Sequence, residues 1–355
     1  MAQYPSSDEH LAFLVKLQRL LSEGDFTATY KFALLMALAD ISVERGHDDV
    51  RPLEISLRDI AEKFIDYYWQ QTMPYGSDSD QPLSVNHERW VLKQVNEKQA
   101  RVVTEILRFR ETSNIHSIVR AKPTKQFQGL VTEVAATVSA QPVKYFQNVG
   151  GGADPFVYER IRRGVRLKPG VSSHLRKFHG LIQHMARDRW IRHIKSNKYN
   201  IPILGQKDDL YSFLFETNRN ALGIVSTNLS KLFSKKCFYC GGRINDTPDV
   251  DHFIPFSMYG RDIVQNFVLA HGSCNRSKSD VLAAKLHVEN WLEQMHRHRD
   301  DISQIALDAG VISDQQTILS VAKWSYQQGH EAGAHAWVKK GEFERIEEGY
   351  VHIGF

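Results

Sequence analysis

CFYCGGRINDTPDVDHFIPFSMYGRDIVQNFVLAHGSC, residues 237–274, holds all 3 cysteines of a 355-residue chain. Cys237 and Cys240 make C-x2-C, a spacing at which a tight turn, here through Gly241 and Gly242, lets two thiolates face one ion. A structural zinc takes four ligands. The remaining cysteine is Cys274, and His271 stands three positions before it, making H-x2-C. The spacing predicts a Cys3His zinc site of Cys237, Cys240, His271 and Cys274. The plain alternative is three thiols that hold no metal.

Between the two halves of this clamp lies VDHFIPFS, with Asp251 and His252 adjacent. Asn266 follows in VQNFVLA, and then CNRSK, with Asn275, Arg276 and Lys278. This pattern resembles the HNH endonuclease family, whose domain is a β-hairpin plus one helix, the ββα-metal motif. That family has Asp-His at the end of a strand, an asparagine in the connection and C-N-x-x-K where the helix starts. The similarity extends to the HNH domains of CRISPR effector nucleases and to zinc-stapled HNH restriction enzymes, and it covers residues 235–285. His271 replaces the cysteine usual in zinc-bearing members, and Asn275 stands where other members have histidine. The resemblance implies a hairpin that sets metal ligand and base on opposite sides of a scissile phosphate, with Asn266 orienting the His252 loop.

The chemistry can be argued from the residues as well. Hydrolysing a phosphodiester requires an activated water, charge neutralisation on the non-bridging oxygens and help for the leaving 3′-oxygen. Neutral His252 can take the proton from water, because an ordinary imidazole pKa of about 6.5 leaves it mostly unprotonated at neutral pH. Asp251 and the side-chain oxygen of Asn275 are hard donors suited to Mg²⁺ or Mn²⁺, and two protein ligands leave positions for water and phosphate. Lys278, one turn after Asn275, and Arg276 are expected to pair with phosphate oxygens. The helix start near Asn275 also offers N–H groups to an anion. Neighbours on a strand face opposite ways, so Asp251 and His252 need a strand end or bend to serve one phosphate. The competing reading makes them a buried ion pair. Zinc is needed because a module this small buries too little apolar surface to hold catalytic geometry alone.

Outside this window the charge is unevenly spread. The chain has 45 Lys+Arg against 41 Asp+Glu, yet residues 1–115 and 288–355 each carry a net −5. Residues 160–198 hold 12 basic side chains and one acid, Asp188, interleaved with His174, Phe178, His179, His184, Trp190 and His193. Neutralising phosphates releases condensed counterions, so such a run suits a polyanion. Arg176, Lys177, Arg187, Arg189, Arg192 and Lys195 are therefore candidate DNA-backbone contacts. The alternative is a solvated helix face packed against the acidic ends.

The rest reads as mainly α. Leu11, Leu14, Val15, Leu17 and Leu21 fall near a 3.6-residue period, a buried helix is expected over 29–43, and another over 57–68. GSDSDQP, 76–82, reads as a loop, and a helical pattern follows over 91–109. PVKYFQNV favours strand. The glycines at 150–152 read as a plain loop, because no G-K-[ST] follows them. Ser172 or Ser173 is a candidate cap for one helix running to about Ser196. Helices are expected again over 283–298 and near 318–328, with His287, His296 and His298 on a solvated surface.

The expected fold class is mainly α and multi-domain, α+β overall: an N-terminal helical domain over 1–118, a basic middle region over 119–228, a zinc-stapled ββα-metal HNH module over 229–288 and a C-terminal helical region over 289–355. The expected function is a metal-dependent DNA endonuclease that nicks, with structural Zn and catalytic Mg or Mn, in bacterial defence or a mobile element. The alternatives are an effector subunit activated by a partner, and a zinc module that binds nucleic acid without cutting it. A protein partner or homo-oligomer through the N-terminal helices is expected. The longest uncharged apolar run, FALLMALA at 32–39, is far short of the roughly 20 residues that cross a membrane. The opening MAQYPSSDEH lacks the pattern of a secretory leader, so a cytoplasmic location is expected.

Overall fold

Ser6 opens the first helix, α1 (Ser7–Glu23), through a reciprocal capping box with Glu9. The computed structural model describes residues 3–24, 27–75, 90–205, 209–217 and 219–355. The loop reading of 76–82 lies outside the described residues. On α1 the buried side chains are His10, Phe13, Leu17, Leu20 and Leu21. Leu11 and Val15, expected in the apolar stripe, are instead 62% and 51% exposed. Both faces satisfy a helical period. The ring of His174, stacked on Phe13 at 4.8 Å, marks which one is covered.

The chain divides into two units, Met1–His116 with Ala121–Leu214, and Ser117–Arg120 with Phe215–Phe355. In the first, α2 (Tyr30–Arg45) is buried from Tyr30 through Val43. A helix covered on every side needs no polar face, hence its near-continuous apolar sequence. Within it the Asp40 carboxylate accepts from Tyr67 Oη (2.7 Å), His179 Nε2 (2.8 Å) and Gln183 Nε2 (2.6 Å). α3 (Leu57–Trp69) starts at a second capping box, Ser56 with Asp59, and buries Ile60, Ala61, Phe64, Ile65, Tyr68 and Trp69. It packs with α4 (Arg101–Ser113) and α5 (Lys125–Ala140).

The helix expected over 91–109 begins only at Arg101, because side chains claim the preceding backbone. Asn200 brackets Lys93, accepting from its N–H at 2.7 Å and donating to its carbonyl at 3.0 Å, and Asn197 donates to the Val95 carbonyl. β1 (Glu54–Ser56) joins a later antiparallel sheet at its edge. Of PVKYFQNV only β2 (Asn148–Val149) is extended; residues Pro142–Tyr145 form a helical turn. β2 pairs with β3 (Gly152–Ala153) through Gly150 and Gly151, whose φ of +58° and +83° is the region glycine tolerates. β4 (Tyr158–Ile161) and β5 (Gly164–Leu167) complete the three-stranded sheet, in the order β1-β5-β4.

The basic stretch forms two helices rather than one, α6 (Val171–Lys177) and α7 (His179–Ser196), broken at Phe178. Gly170 occupies the cap position, and Ser172 and Ser173 are buried inside α6.

The second unit contains α8 (Arg219–Leu232), then β6 (Asp249–His252) and β7 (Phe267–Ala270), which pair antiparallel with Asp251 opposite Val268 and His252 opposite Phe267. α9 (Gly272–Lys278) completes a hairpin-and-helix motif. Helices α10 (Lys285–Arg297), α11 (Arg299–Ala309) and α12 (Gln315–Glu331) follow. A hairpin of β8 (His335–Lys339) and β9 (Glu342–Arg345) then occupies a region expected to be helical.

These C-terminal elements close the module's core. Trp291 stacks on Phe253 at 4.5 Å and donates to the Gln265 carbonyl at 2.9 Å, while Trp337 donates to Ser277 Oγ at 3.1 Å. His287, expected at the surface, is 4% exposed: its Nε2–H donates to the Val338 carbonyl (2.8 Å) and its ring stacks on Trp337. The whole is mainly α, and no described helix is long and apolar enough to cross a membrane.

Candidate active site and zinc centre

The knuckle turn is built by backbone bonds. Cys237 N–H donates to Gly242 O and Gly241 N–H to Cys237 O, each at 2.9 Å, with Gly241 at φ +67°. Phe238 N–H donates to Leu269 O at 2.8 Å, which fastens the turn to β7. β7 runs directly into His271, the N-cap of α9, and Cys274 lies within that helix. One ligand atom from each of Cys237, Cys240, His271 and Cys274 then lies within 4.8 Å of all the others.

The donor set fits zinc. His271 Nε2–H is bonded to the Arg243 carbonyl at 3.1 Å, which leaves Nδ1, 3.3 Å from Cys240 Sγ, as the ligand nitrogen. Burial and the neighbouring sulfurs of Cys237 and Cys240 push the Cys274 thiol up to about 12. Burial also acts to raise the Cys237 thiol, but N–H groups of Cys240, His271 and Tyr239 outweigh it and bring that pKa down. A dication at the centre removes the mutual repulsion that opposes a set of thiolates.

β6 presents two faces. Alternation puts Asp249 and Asp251 on one and Val250 and His252 on the other. On the first face, Asp251 is 7% exposed and its Oδ2 accepts from Tyr239 Oη (2.5 Å) and sits 3.2 Å from Lys278 Nζ. Lys278 also donates to the His252 carbonyl at 2.9 Å and is only 1% exposed. Its expected phosphate contact is therefore corrected: the ammonium points inward and ties α9 to β6. Asn275 donates through Nδ2 to Asp249 Oδ2 at 3.1 Å. Asn275 is thus joined to Asp249, and Asp251 to Tyr239 and Lys278. Arg276 is exposed.

On the second face His252 is the last residue of its strand. Its ring packs against Phe256 and Phe267, with centroids 5.2 and 5.0 Å away, and its Nε2 is 2.5 Å from Asp262 Oδ1. Asn266, fully buried, grips the chain just beyond: its Oδ1 accepts from Ile254 N–H (2.7 Å), its Nδ2 donates to Ile254 O (2.9 Å), and its own carbonyl accepts from Phe253 N–H (2.7 Å). Three residues of the site escaped sequence reasoning: Asp249, Tyr239 and Asp262. Strand alternation, two positions from Asp251, could have found Asp249. Nothing local marks the other two.

The basic run divides. Arg176 is buried, forms a two-point bond to Asp48 (2.6 and 3.0 Å) and donates to the Ser42 and Val43 carbonyls, closing the end of α2. Arg187 is 7% exposed and donates to Tyr211 Oη at 3.0 Å. Both are corrected from nucleic-acid contacts to structural cations. Lys177, Arg189, Arg192 and Lys195 are exposed, Arg192 in a helical pair with Asp188.

A zinc-ligand cluster clamped around a hairpin and helix, with a histidine at the strand end, defines an HNH module, and residues 237–284 match the family model described as HNH endonuclease. Residues 10–214, more than half of the chain, match the one described as Domain of unknown function (DUF8808), and the chain belongs to that family. No curated protein and no solved structure matches it.

Proposed function

We propose that the chain is a metal-dependent endonuclease that hydrolyses DNA, one strand per active site, so that a double-strand break takes two protomers or successive nicks. The observation that carries this reading is His252. The imidazole stands at a strand end, a quarter exposed, on a hairpin whose other face carries Asp249 and Asp251, with Asn275 of α9 bonded to Asp249. A bound Mg²⁺ or Mn²⁺ would supply charge neutralisation at the phosphate and leaving oxygen. Asp251 and Asn275 are its proposed ligands, Asp251 through Oδ1 because Oδ2 is held by Tyr239 and Lys278, with Asp249 beside Asn275. His252 takes the proton of the attacking water. Asn266 holds the His252 loop, and the buried Asp251–Lys278 pair holds α9 against β6.

Exposed Lys177, Arg189, Arg192 and Lys195 are assigned to the DNA backbone, together with Arg276 on the module itself. A partner protein or second copy at the N-terminal helices belongs to the same proposal, supported by the exposed Leu11 and Val15 of α1. So does a role in bacterial defence or a mobile element.

The test is cleavage of supercoiled plasmid by the zinc-loaded chain with Mg²⁺, with Mn²⁺ and with neither. Wild type should nick only with metal, and His252→Ala and Asn275→Ala should each lose about 10²-fold or more in rate. Cleavage that persists unchanged in His252→Ala would sink the assignment.

A further inference from the structure

We infer that Asp262 is a positioning residue for His252, fixing the imidazole with its proton on Nε2 so that Nδ1 is the nitrogen that accepts the proton of water. The inference rests on the endonuclease reading above. An ionised carboxylate only accepts hydrogen bonds, so at 2.5 Å from Asp262 Oδ1 the Nε2 atom must be the one that carries hydrogen. The other carboxylate oxygen, Oδ2, accepts the Thr217 N–H at 3.1 Å, so the acid is itself anchored. The Asp262 side chain is 9% exposed and that of His252 is 23% exposed. Phe256 and Phe267 limit how the ring can turn. Among the described residues no hydrogen bond is made by His252 Nδ1.

Burial acts to raise the pKa of Asp262. The hydrogen bond and charge of His252, then Thr217, outweigh it and hold the carboxyl below its usual range. A fixed negative charge at Nε2 selects the tautomer and stabilises the imidazolium that forms. The step balances: the water oxygen bonds to phosphorus, its proton moves to Nδ1, the bond from phosphorus to the 3′-oxygen breaks, and the departing oxygen takes a proton from solvent. Asp262 stays ionised throughout. It stands in GRDIVQN, and only the chain's path back to the strand end brings it to His252.

The experiment uses the full zinc-loaded chain and supercoiled plasmid with Mg²⁺. Asp262→Asn should lower the rate at saturating DNA by about 10²- to 10⁴-fold, the range for loss of a base or its orienting acid, and leave DNA affinity unchanged. Asp262→Glu should recover part of the rate, and adding Asp262→Asn to His252→Ala should slow cleavage no further. A purely structural Asp262 would slow that background too. On wild type, ¹⁵N NMR above the histidine pKa should find Nε2 protonated and Nδ1 bare; this measurement decides the matter even if the Asp262 variants lose zinc or fold. A proton on Nδ1, or an Asp262→Asn rate within twofold of wild type, overturns the inference. If His252→Ala is inactive in that case, the endonuclease reading stands without it. If His252→Ala cuts like wild type, both fall.

Discussion

Lys278 brings a positive charge to a place that water does not reach. At 1% exposure its ammonium is shared between the Asp251 carboxylate and the His252 carbonyl. Burial lowers its pKa, with the Asp251 charge working against that. Replacing a well-made buried pair by apolar groups can be neutral, but removing one partner strands the other. Lys278→Met should therefore destabilise the second unit by about 3–5 kcal/mol, read from urea unfolding of the zinc-loaded protein. A loss under about 1 kcal/mol would mean that the pair is solvated, against its burial here. C-N-x-x-K in the sequence pointed to Lys278 as a residue of the site. Its direction, inward to Asp251 rather than outward to phosphate, depends on what β6 places beneath α9.

At the scale of elements, α1 and α6 meet through two histidines. His174 Nδ1 and His10 Nδ1 are 2.7 Å apart, with the His174 ring stacked on Phe13. Burial, then the His10 charge, lowers His174 to about 4, and burial likewise lowers His10. A base whose folded pKa is depressed stays neutral in the fold while the unfolded chain takes up protons. The fold is then fully favoured above the unfolded value, about 6.5, and loses stability as pH falls from there toward 4. Thermal melting of the first unit should show that loss, and His174→Phe should flatten it. An unchanged slope in the variant would remove the pair as its cause. The same contact explains why Leu17 and Leu21 of the α1 stripe are buried while Leu11 and Val15 are not. Leu11 and Val15 fit a helical period as well as His10 and Phe13 do, and only the partner element chooses the face.

At the scale of the whole molecule, the two units have different sources of order. The first is organised around the buried α2. The second builds on a hairpin and a seven-residue helix, held by the zinc ligands and covered by Trp291 and Trp337 from the C-terminal elements. Structural zinc contributes about 10–16 kcal/mol in comparably small modules. Stripping zinc with a strong chelator should therefore abolish the melting transition of the second unit and leave that of the first. Omitting Mg²⁺ should silence cleavage and leave both transitions in place. A second unit that melts normally without zinc would refute the structural role.

The sequence alone determined the zinc quartet, the HNH character of residues 237–284 and the mainly α character. Each depends on residue type and spacing along a short stretch, where local chain geometry is enough. Tertiary structure alone decided that Arg176 and Arg187 are buried, that Lys278 faces Asp251, that His287 is covered by the C-terminal hairpin, and that Asp262 reaches His252. A charged side chain reads the same in sequence whether it meets water or a carboxylate. Which it meets is set by the element packed against it, and that neighbour is chosen by how the whole chain buries its apolar surface.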